Sequence, residues 1–270
     1  MYEFTYIRPG SLPEAAALLA SNEGAKPLSG GMTLIPTLKQ RLSQPSHLVD
    51  ITALAALKGI AVVDGRLEIG AATRHIEVAT SSVVRQSLPA LAALAAGIGD
   101  PQVRNRGTMG GSVANNDPAA DYPSAVLALG ATVHTDRRAI AAEDFFQGMF
   151  ATALEPGELI VRISFPLAER AAYAKFPHPA SGYAMTGVFI AVVGGAVRVA
   201  VTGAGPGVFR WTQAETALQA RFESAAIADL EVDATDLNAD IHAPAAYRAN
   251  LVRVMALRAL ETILTSSKGQ

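Results

Sequence analysis

Residues 104–121 read RNRGTMGGSVANNDPAAD, and this stretch has the greatest influence on the predicted fold and function. It is dense in glycine, hydroxyl, amide and carboxylate groups, which can hydrogen-bond to phosphate oxygens and to sugar hydroxyls. Asp121 closes the stretch. Its carboxylate could accept hydrogen bonds from ribityl or sugar hydroxyls, or it could cap a helix that begins near Tyr122. Both interpretations stay open on these residues alone.

A second glycine pair lies upstream, in the segment Leu28-Ser29-Gly30-Gly31-Met32-Thr33. A predicted strand at 26–28 precedes it and a predicted helix at 33–41 follows it. Glycines let a backbone approach a ligand closely, and the first turn of a helix offers free N–H groups, which suits a phosphate. The same pair could equally form only a tight turn.

The first 56 residues alternate between strand and helix patterns. Ser11 and Glu14 form a capping-box pattern for a helix that ends near Ser21. Together with the two elements just described, the predicted strands at 4–8 and 48–51 complete a β-α-β-α-β unit. We therefore predict a first α/β subdomain over residues 1–56.

Residues 57–168 show a different rhythm and are predicted to form a second subdomain. Asp64-Gly65 marks a tight hairpin between strands 60–63 and 67–70. The segment around Gly110-Gly111 is expected to be a loop. The remaining predicted elements are helices at 74–79, 87–96 and 122–129, and strands at 132–135, 139–141 and 158–165.

Residues 168–172 are expected to link into a third region, residues 169–270. A hairpin through Gly194-Gly195 joins predicted strands 185–193 and 197–202. A final helix is predicted over 245–264, with Leu251, Val254, Leu257 and Leu260 spaced to share one face. Strands followed by helices predict a small α+β domain.

Two other features are interpreted as carrying no chemistry. Gly203-Ala204-Gly205-Pro206-Gly207 superficially resembles a dinucleotide-binding fingerprint, but Pro206 lacks an N–H and no helix pattern follows at once. The acidic residues Glu143, Asp144, Asp233, Asp236 and Asp240 are expected to lie on a solvated surface.

Composition excludes several classes of function. The net charge is −2 and Lys and Arg form no block, so no nucleic-acid partner is expected. Mean hydropathy is +0.26, yet the apolar runs fall short of the about 20 residues that a membrane span needs. The N-terminus lacks the apolar core of a signal peptide, so a cytoplasmic location is expected.

The cysteine count is zero, and the five histidines are scattered. These residues therefore offer no disulfide, no Cys-ligated iron–sulfur cluster and no evident metal site. Any redox chemistry on this chain would need a bound organic cofactor.

Four motifs in order then resemble one family. They are residues 29–36 (SGGMTLIP), 108–112 (TMGGS), 117–121 (DPAAD), and Lys175 followed by 179–184 (PASGYA). In this order and over nearly the whole chain, they resemble the FAD-binding medium subunit of the carbon monoxide dehydrogenase, xanthine dehydrogenase and aldehyde oxidoreductase family, the molybdenum hydroxylases. Ser29 stands where alanine is common and Met109 where isoleucine is common; neither change removes a backbone donor.

The resemblance implies an α+β protein that binds FAD. Its fold would be the p-cresol methylhydroxylase type, with two α/β subdomains, plus a small α+β C-terminal domain with an antiparallel sheet. The glycine segments would hold the pyrophosphate, Asp121 the ribityl chain, Ile98 and Ile160 would lie near adenine and flavin, and Lys175 and Tyr183 near the isoalloxazine ring. The implied cofactor-binding residues are Ser29, Gly30, Gly31, Met32, Thr33, Leu34, Ile98, Thr108, Gly110, Gly111, Ser112, Asn115, Asp117, Asp121, Ile160, Lys175 and Tyr183.

The same resemblance implies a role in electron transfer and names no catalytic acid, base or nucleophile on this chain. Electrons would pass from [2Fe–2S] clusters of a small subunit through FAD to an external acceptor. A large subunit would hold molybdopterin, and the complex would be a dimer of heterotrimers.

Two other hypotheses remain. A self-sufficient FAD-dependent oxidoreductase is disfavoured, because no added substrate domain and no His or Cys for covalent flavin attachment is evident. A non-enzymatic assembly module is disfavoured by the intact glycine segments and Asp121.

Overall fold

The computed structural model describes residues 1–266 of the chain. A small parallel sheet forms the N-terminal part. Its strands are parallel and lie in the order β1-β3-β2, and they alternate along the chain with helices, as the β-α-β-α-β pattern predicted. The Ser11 hydroxyl accepts from the Glu14 amide, and the Glu14 carboxylate accepts from the Gly10 amide, so α1 begins where predicted. The elements are β1 (Thr5–Ile7), α1 (Leu12–Ser21), β2 (Lys26–Leu28), α2 (Leu34–Lys39) and β3 (His47–Asp50).

A five-stranded antiparallel sheet and its helices follow. The sheet order is β4-β5-β10-β6-β7. Asp64 and Gly65 both have positive φ, 49° and 71°, which suits the predicted two-residue hairpin. The elements are β4 (Ile60–Val63), β5 (Arg66–Gly70), α3 (His75–Thr80), α4 (Ser82–Ser87), α5 (Pro89–Ala96), α6 (Pro101–Arg106), α7 (Met109–Asn115), α8 (Tyr122–Ala128), β6 (Thr132–Thr135), β7 (Ala139–Ala141), α9 (Ala142–Phe145), β8 (Phe146–Gly148), β9 (Ala151–Thr152) and β10 (Ile160–Pro166).

Two predicted features of this region are wrong, and α4, α6 and α9 are additional helices that the sequence did not predict. The predicted helix 87–96 is wrong at its start, because Leu88 leaves the helical conformation and Pro89 opens α5, while α4 ends at Ser87. The predicted loop around Gly110-Gly111 is also wrong. These glycines lie in the first turn of α7, where the Thr108 hydroxyl accepts from the Gly111 amide at 3.2 Å. A side-chain cap and tertiary packing offset the low helix propensity of glycine.

A four-stranded antiparallel sheet, in the order β11-β12-β13-β14, forms the last region. The predicted link 168–172 is partly wrong, because the strand already begins at Arg170. The elements are β11 (Arg170–Pro177), β12 (Ala184–Val193), β13 (Ala196–Thr202), β14 (Phe209–Arg210), α10 (Thr212–Ala220) and α11 (Ala245–Ser266).

The buried face of α11 includes two of the four residues predicted to share a face, Leu251 and Leu260. Val254 and Leu257 are only partly buried, whereas Met255 and Ala259 are fully buried against the sheet. The apolar stripe on this helix is wide, so that Val252 and Ala256 are fully buried beside these residues.

Glu143 and Asp240 are exposed, as expected for a solvated surface, and each forms an ion pair with an arginine. Asp240 accepts from the buried guanidinium of Arg248 at 2.7 Å, and Glu143 pairs with Arg198. Within residues 1–266, no helix is both long and apolar enough to cross a membrane.

Candidate functional site

A cavity of about 490 Å³ lies where segments from all three regions meet. This is within the size range of ligand and cofactor pockets. Its wall consists of residues from four stretches, namely 26–37, 98–121, 154–160 and 181–183, with Ser43, Ile51, Ala71 and His75 added.

Backbone-to-backbone contact joins the two glycine segments. A Cβ built on Gly30 would lie 2.3 Å from the carbonyl oxygen of Arg106 and 2.7 Å from Cα of Gly107. The hydroxyls of Ser29 and Thr108 share a hydrogen bond of 2.9 Å. Because no side chain fits between the segments, they form one continuous wall of the cavity.

The first glycine segment leaves backbone donors free. Gly31 adopts a φ of +72°, a conformation that favours glycine. Within the part of the chain that the structure describes, the amides of Gly30, Gly31 and Met32 donate to no protein group. Backbone donors of this kind, lining a cavity beside Thr108, suit the oxygens of a pyrophosphate.

The second glycine segment packs against the end of β5. The Gly110 amide donates to the carbonyl of Ala71 at 2.9 Å, and a Cβ on Gly110 would lie 2.4 Å from the Ala71 Cβ. Gly110 is therefore required for close packing, and it positions Gly111 and Ser112 at the cavity wall.

Asp121 is buried, with 4% of its surface exposed, and it lines the cavity. The Tyr173 hydroxyl donates to its Oδ1 at 2.6 Å, and Lys175 Nζ lies 3.0 Å from the same atom. Burial raises the pKa of the Asp121 carboxyl, while Lys175 and Tyr173 act in the opposite direction. The carboxylate makes no hydrogen bond that caps α8, so the helix-cap interpretation of Asp121 is wrong.

The structure brings the predicted cofactor-binding residues together, with one exception. Those that line the cavity are Ser29, Gly30, Gly31, Met32, Thr33, Leu34, Ile98, Thr108, Gly110, Gly111, Ser112, Asn115, Asp117, Asp121, Ile160 and Tyr183. Lys175 does not line it, and instead contacts Asp121 from the side of β11.

Sequence reasoning missed His75, which lines the cavity and is 4% exposed. Burial lowers the pKa of its imidazole to about 4, so the ring is neutral near pH 7. Its buried Nδ1 has no hydrogen-bond partner among the described residues, and its ring lies 5.3 Å from that of Tyr122. No local sequence pattern marks His75. Its link to a recognised motif is through Gly107, which directly precedes the TMGGS motif. A Cβ built on Gly107 would lie 2.5 Å from Nε2 of His75.

In residues 1–266, no group of three or more His, Cys, Asp or Glu side chains is placed to hold a metal ion. The site instead combines backbone donors, a buried carboxylate and apolar walls. This combination, on an α+β fold, defines a protein that binds a large phosphate-containing organic cofactor.

Residues 2–168 match the family described as the FAD binding domain in molybdopterin dehydrogenase. The chain belongs to this family, and its cofactor is FAD.

Curated relatives match over almost the full chain. The 6-hydroxypseudooxynicotine dehydrogenase complex subunit alpha of Paenarthrobacter nicotinovorans is 36% identical, over 97% of this chain and 94% of the relative. The carbon monoxide dehydrogenase medium chain of Afipia carboxidovorans is 35% identical, over 98% of each. This chain is accordingly the FAD-binding medium subunit of a molybdenum hydroxylase and an oxidoreductase component.

Solved structures agree with the fold. A chain of quinoline 2-oxidoreductase from Pseudomonas putida 86 superposes with a TM-score of 0.89 at 28% identity, covering 98% of both chains. A chain of reconstituted CO dehydrogenase from Oligotropha carboxidovorans gives a TM-score of 0.88 at 33% identity, covering 97% of this chain and 98% of that one. The predicted α+β FAD-binding fold is confirmed.

Proposed function

We propose that this chain is the electron-transferring subunit of a multi-subunit molybdenum hydroxylase. It would receive electrons from [2Fe–2S] clusters on a partner subunit and deliver them to an external acceptor. The observation that carries this proposal is the single cavity in which both glycine segments meet the buried Asp121. The relatives' designation as medium chains or complex subunits supports the existence of partners.

Different residues of the cavity would bind different parts of FAD. The free amides of Gly30 and Gly31, with Thr108 and Ser112, would hold the pyrophosphate, and Asp121 would accept from ribityl hydroxyls. Ile98 and Ile160 would contact adenine and flavin, and Tyr183 would lie beside the ring system. When bound, FAD supplies the redox chemistry, while the protein supplies position, exclusion of water and electrostatics.

The partners would be an iron–sulfur small subunit and a molybdopterin large subunit. Since these 270 residues contain no cysteine, Cys ligands of a cluster would come from another chain. Assembly as a dimer of heterotrimers, the division at 1–56, 57–168 and 169–270, and a cytoplasmic location stay predictions.

The test is co-purification of the chain from its native host, followed by identification of bound chains and cofactors. We expect one FAD per chain, and partners that carry iron–sulfur and molybdopterin centres. The FAD-loaded chain should be reduced by the reduced iron–sulfur partner. A purified, refolded chain that never takes up FAD would contradict the proposal. Turnover of an organic substrate by the isolated chain would favour a self-sufficient oxidoreductase instead.

A further inference from the structure

Two histidines from distant parts of the chain meet beside the cavity. Nε2 of His178 lies 3.3 Å from Nδ1 of His242, and the two rings pack edge to face with their centroids 4.5 Å apart. Both line a second cavity of about 540 Å³, which shares Asp117, Ser181 and Tyr183 with the first. The pair therefore lies against the part of the wall that carries Tyr183.

His178 belongs to the turn between β11 and β12, which is closed by its own hydrogen bonds. The His178 amide donates to the Tyr183 carbonyl at 2.8 Å, and the Gly182 amide donates to the His178 carbonyl at 2.9 Å. Nδ1 of the His178 ring accepts from the amides of Ala180 and Ser181, at 3.2 and 3.4 Å. The imidazole is thus part of the turn, and Nδ1 must be unprotonated to accept from these amides.

His242 belongs to the segment 238–243, which is anchored to the body of the last region. Oδ1 of Asp240 accepts from the amides of His242 and Ala243, at 2.9 and 3.0 Å. Oδ2 accepts from Nη2 of Arg248 at 2.7 Å, and this buried guanidinium also donates to two backbone carbonyls. The ring of His242 therefore has a fixed base, and the histidine pair links the turn to that base.

The hydrogen bonds determine where the protons of the two rings lie. Because Nδ1 of His178 accepts from amides, the neutral ring carries its hydrogen on Nε2, which donates to Nδ1 of His242. A proton on Nδ1 of His242 would set two N–H groups against each other at 3.3 Å. A proton on Nδ1 of His178 would displace the two turn amides. Protonation of either ring therefore breaks contacts and adds positive charge to the pair.

We propose that His178 and His242 form a pH-sensitive latch, which holds the β11–β12 turn against the segment 238–243 when both rings are neutral and releases it in mild acid. Histidine side chains in general take up a proton near pH 6.5, so release should occur between about pH 7.5 and 5.5. The turn carries Ser181 and Tyr183, so the latch controls the mobility of one part of the cavity wall. The proposal goes beyond electron transfer and does not rest on it, because the latch is tested on the chain without FAD.

Other charged and titratable groups border the pair and its turn, and they are Asp117, Lys175, Tyr183, Asp240, Tyr247 and Arg248. Side chains of these types ordinarily titrate outside the range from about pH 5.5 to 7.5, in which histidine changes charge. Burial acts to raise the pKa of Asp240, but the amides of Ala243 and His242 and the charge of Arg248 prevail and lower it. Asp240 therefore stays ionised beside Arg248, and the change of charge in this range lies on the histidines.

A bound metal ion is a different use of two facing imidazoles, and the hydrogen bonds disfavour it. A metal would need a lone pair on both facing nitrogens, whereas Nε2 of His178 carries a hydrogen. Among residues 1–266, no third His, Cys, Asp or Glu completes a metal-binding group here. The turn should therefore be equally protected from amide exchange at pH 7.5 with and without a chelator. Loss of protection on adding the chelator would indicate a bound metal and overturn the latch.

The first experiment is amide hydrogen exchange on the full-length chain without FAD, at pH 7.5 and 5.5. Protection factors are compared, because they remove the intrinsic dependence of exchange on pH. In the wild type, protection of the amides in 178–183 should fall by about threefold or more at pH 5.5, since release of the latch lets the turn open. His47→Gln, a change to a histidine on β3, should behave as the wild type. Equal protection at the two pH values in the wild type would overturn the proposal.

Variants of His242 separate the latch from general effects of acid. His242→Ala removes the acceptor, so protection of the turn at pH 7.5 should drop to about the wild-type value at pH 5.5. His242→Gln keeps an acceptor that does not titrate, and should keep the turn protected at both pH values. His242 is exposed, so neither change should prevent folding. A full wild-type pH response in His242→Ala would contradict the latch.

A second measurement follows the effect on the cavity, as the ratio of the Kd for FAD at pH 5.5 to that at pH 7.5. His75, whose pKa is about 4, stays neutral across this range. The ratio should be higher in the wild type than in His242→Gln by about twofold or more, and His47→Gln should match the wild type. An equal ratio in the wild type and His242→Gln would contradict control of the cavity wall by the latch.

The two proposals fail in different ways. An FAD-loaded chain that accepts no electrons from an iron–sulfur partner contradicts the proposed function, and the exchange experiment still decides whether the latch exists. A turn whose protection is independent of pH and of His242 contradicts the latch and leaves the proposed function intact.

Discussion

Single residues determine how closely the two glycine segments can approach their neighbours. Gly30 faces the carbonyl of Arg106, and Gly110 faces Ala71, at distances that exclude any side chain. Both contacts are with backbone or Cβ atoms, which cannot rotate away as the end of a long side chain could. At these positions glycine is required by packing as well as by access to the cofactor.

Gly110→Val should therefore lower both stability and FAD affinity. The added methyl groups would push α7 from β5, at a cost of about 1–3 kcal/mol in the free energy of unfolding. Denaturant unfolding and FAD titration of the purified variant are the measurements. Gly205→Ala is the control, because its Cβ would meet Phe209 at an ordinary 3.4 Å. Wild-type FAD binding by Gly110→Val would contradict the close packing seen here.

His75 should make the protein sensitive to mild acid. The pKa of His75 is lowered to about 4 in the folded chain, whereas it is about 6.5 in the unfolded chain. As the pH falls below about 6.5, the unfolded chain binds a proton that the folded chain does not, and this favours unfolding. Stability from this residue is present above pH about 6.5 and is lost progressively down to about 4, by up to about 3 kcal/mol. Urea unfolding across this window should show the loss in the wild type.

The comparison variant is His75→Gln, which cannot titrate. Its unfolding free energy should vary less with pH between about 6.5 and 4, whereas His47→Gln should behave as the wild type. Equal pH dependence in the wild type and His75→Gln would refute the assignment of the acid sensitivity to His75.

At the scale of elements, the short helix α7 depends on its cap and on tertiary contacts. Seven residues are too few to form a stable isolated helix, and two of them are glycines. Thr108 supports the helix from outside, since its hydroxyl accepts from Gly111 and shares a hydrogen bond with Ser29. The cap of α7 is thus also the link between the two glycine segments.

Thr108→Ala should cost about 1 kcal/mol of unfolding free energy, as is usual for loss of an N-cap, and should weaken FAD binding in addition. Thr108→Ser keeps the hydroxyl and should recover most of both losses. The measurements are urea unfolding and flavin fluorescence titration. If the alanine and serine variants bind FAD equally, the hydroxyl bridge has no part in the site.

At the scale of the whole molecule, the cavity exists only where three regions meet. The parallel sheet contributes Gly30 and Gly31, the antiparallel sheet and its helices contribute Gly110 and Asp121, and the last region contributes Tyr183. A ligand that contacts all three should stabilise them together, because it binds the folded chain and not the unfolded one.

FAD should therefore raise the thermal midpoint of the whole chain. At a free concentration of about 100 times Kd, the gain should be about 2.7 kcal/mol. Differential scanning calorimetry with and without FAD tests this, with riboflavin, which lacks the pyrophosphate, as the control ligand. An equal effect of riboflavin would show that the glycine segments do not hold a pyrophosphate.

Patterns local in sequence predicted the features that depend on local physics. The Asp64-Gly65 hairpin, the Ser11 cap and the alternating N-terminal elements follow from turn and cap chemistry within a few residues. The motifs around Gly30 and Gly110 indicated candidate phosphate-binding segments, although each could equally have formed only a turn or loop. Their resemblance to one family added FAD, and the comparisons bore this out.

Only the tertiary structure decided where distant groups meet. No local signal shows that Lys175 binds two carbonyls and Asp121, that His75 is buried beside Gly107, or that Gly110 lies in a helix. The physical reason is that burial and hydrogen-bond partners depend on contacts between residues far apart in the chain, which local propensity does not encode. The sequence by itself determined which segments could hold a cofactor. The packing of three regions decided which side chains line the cavity.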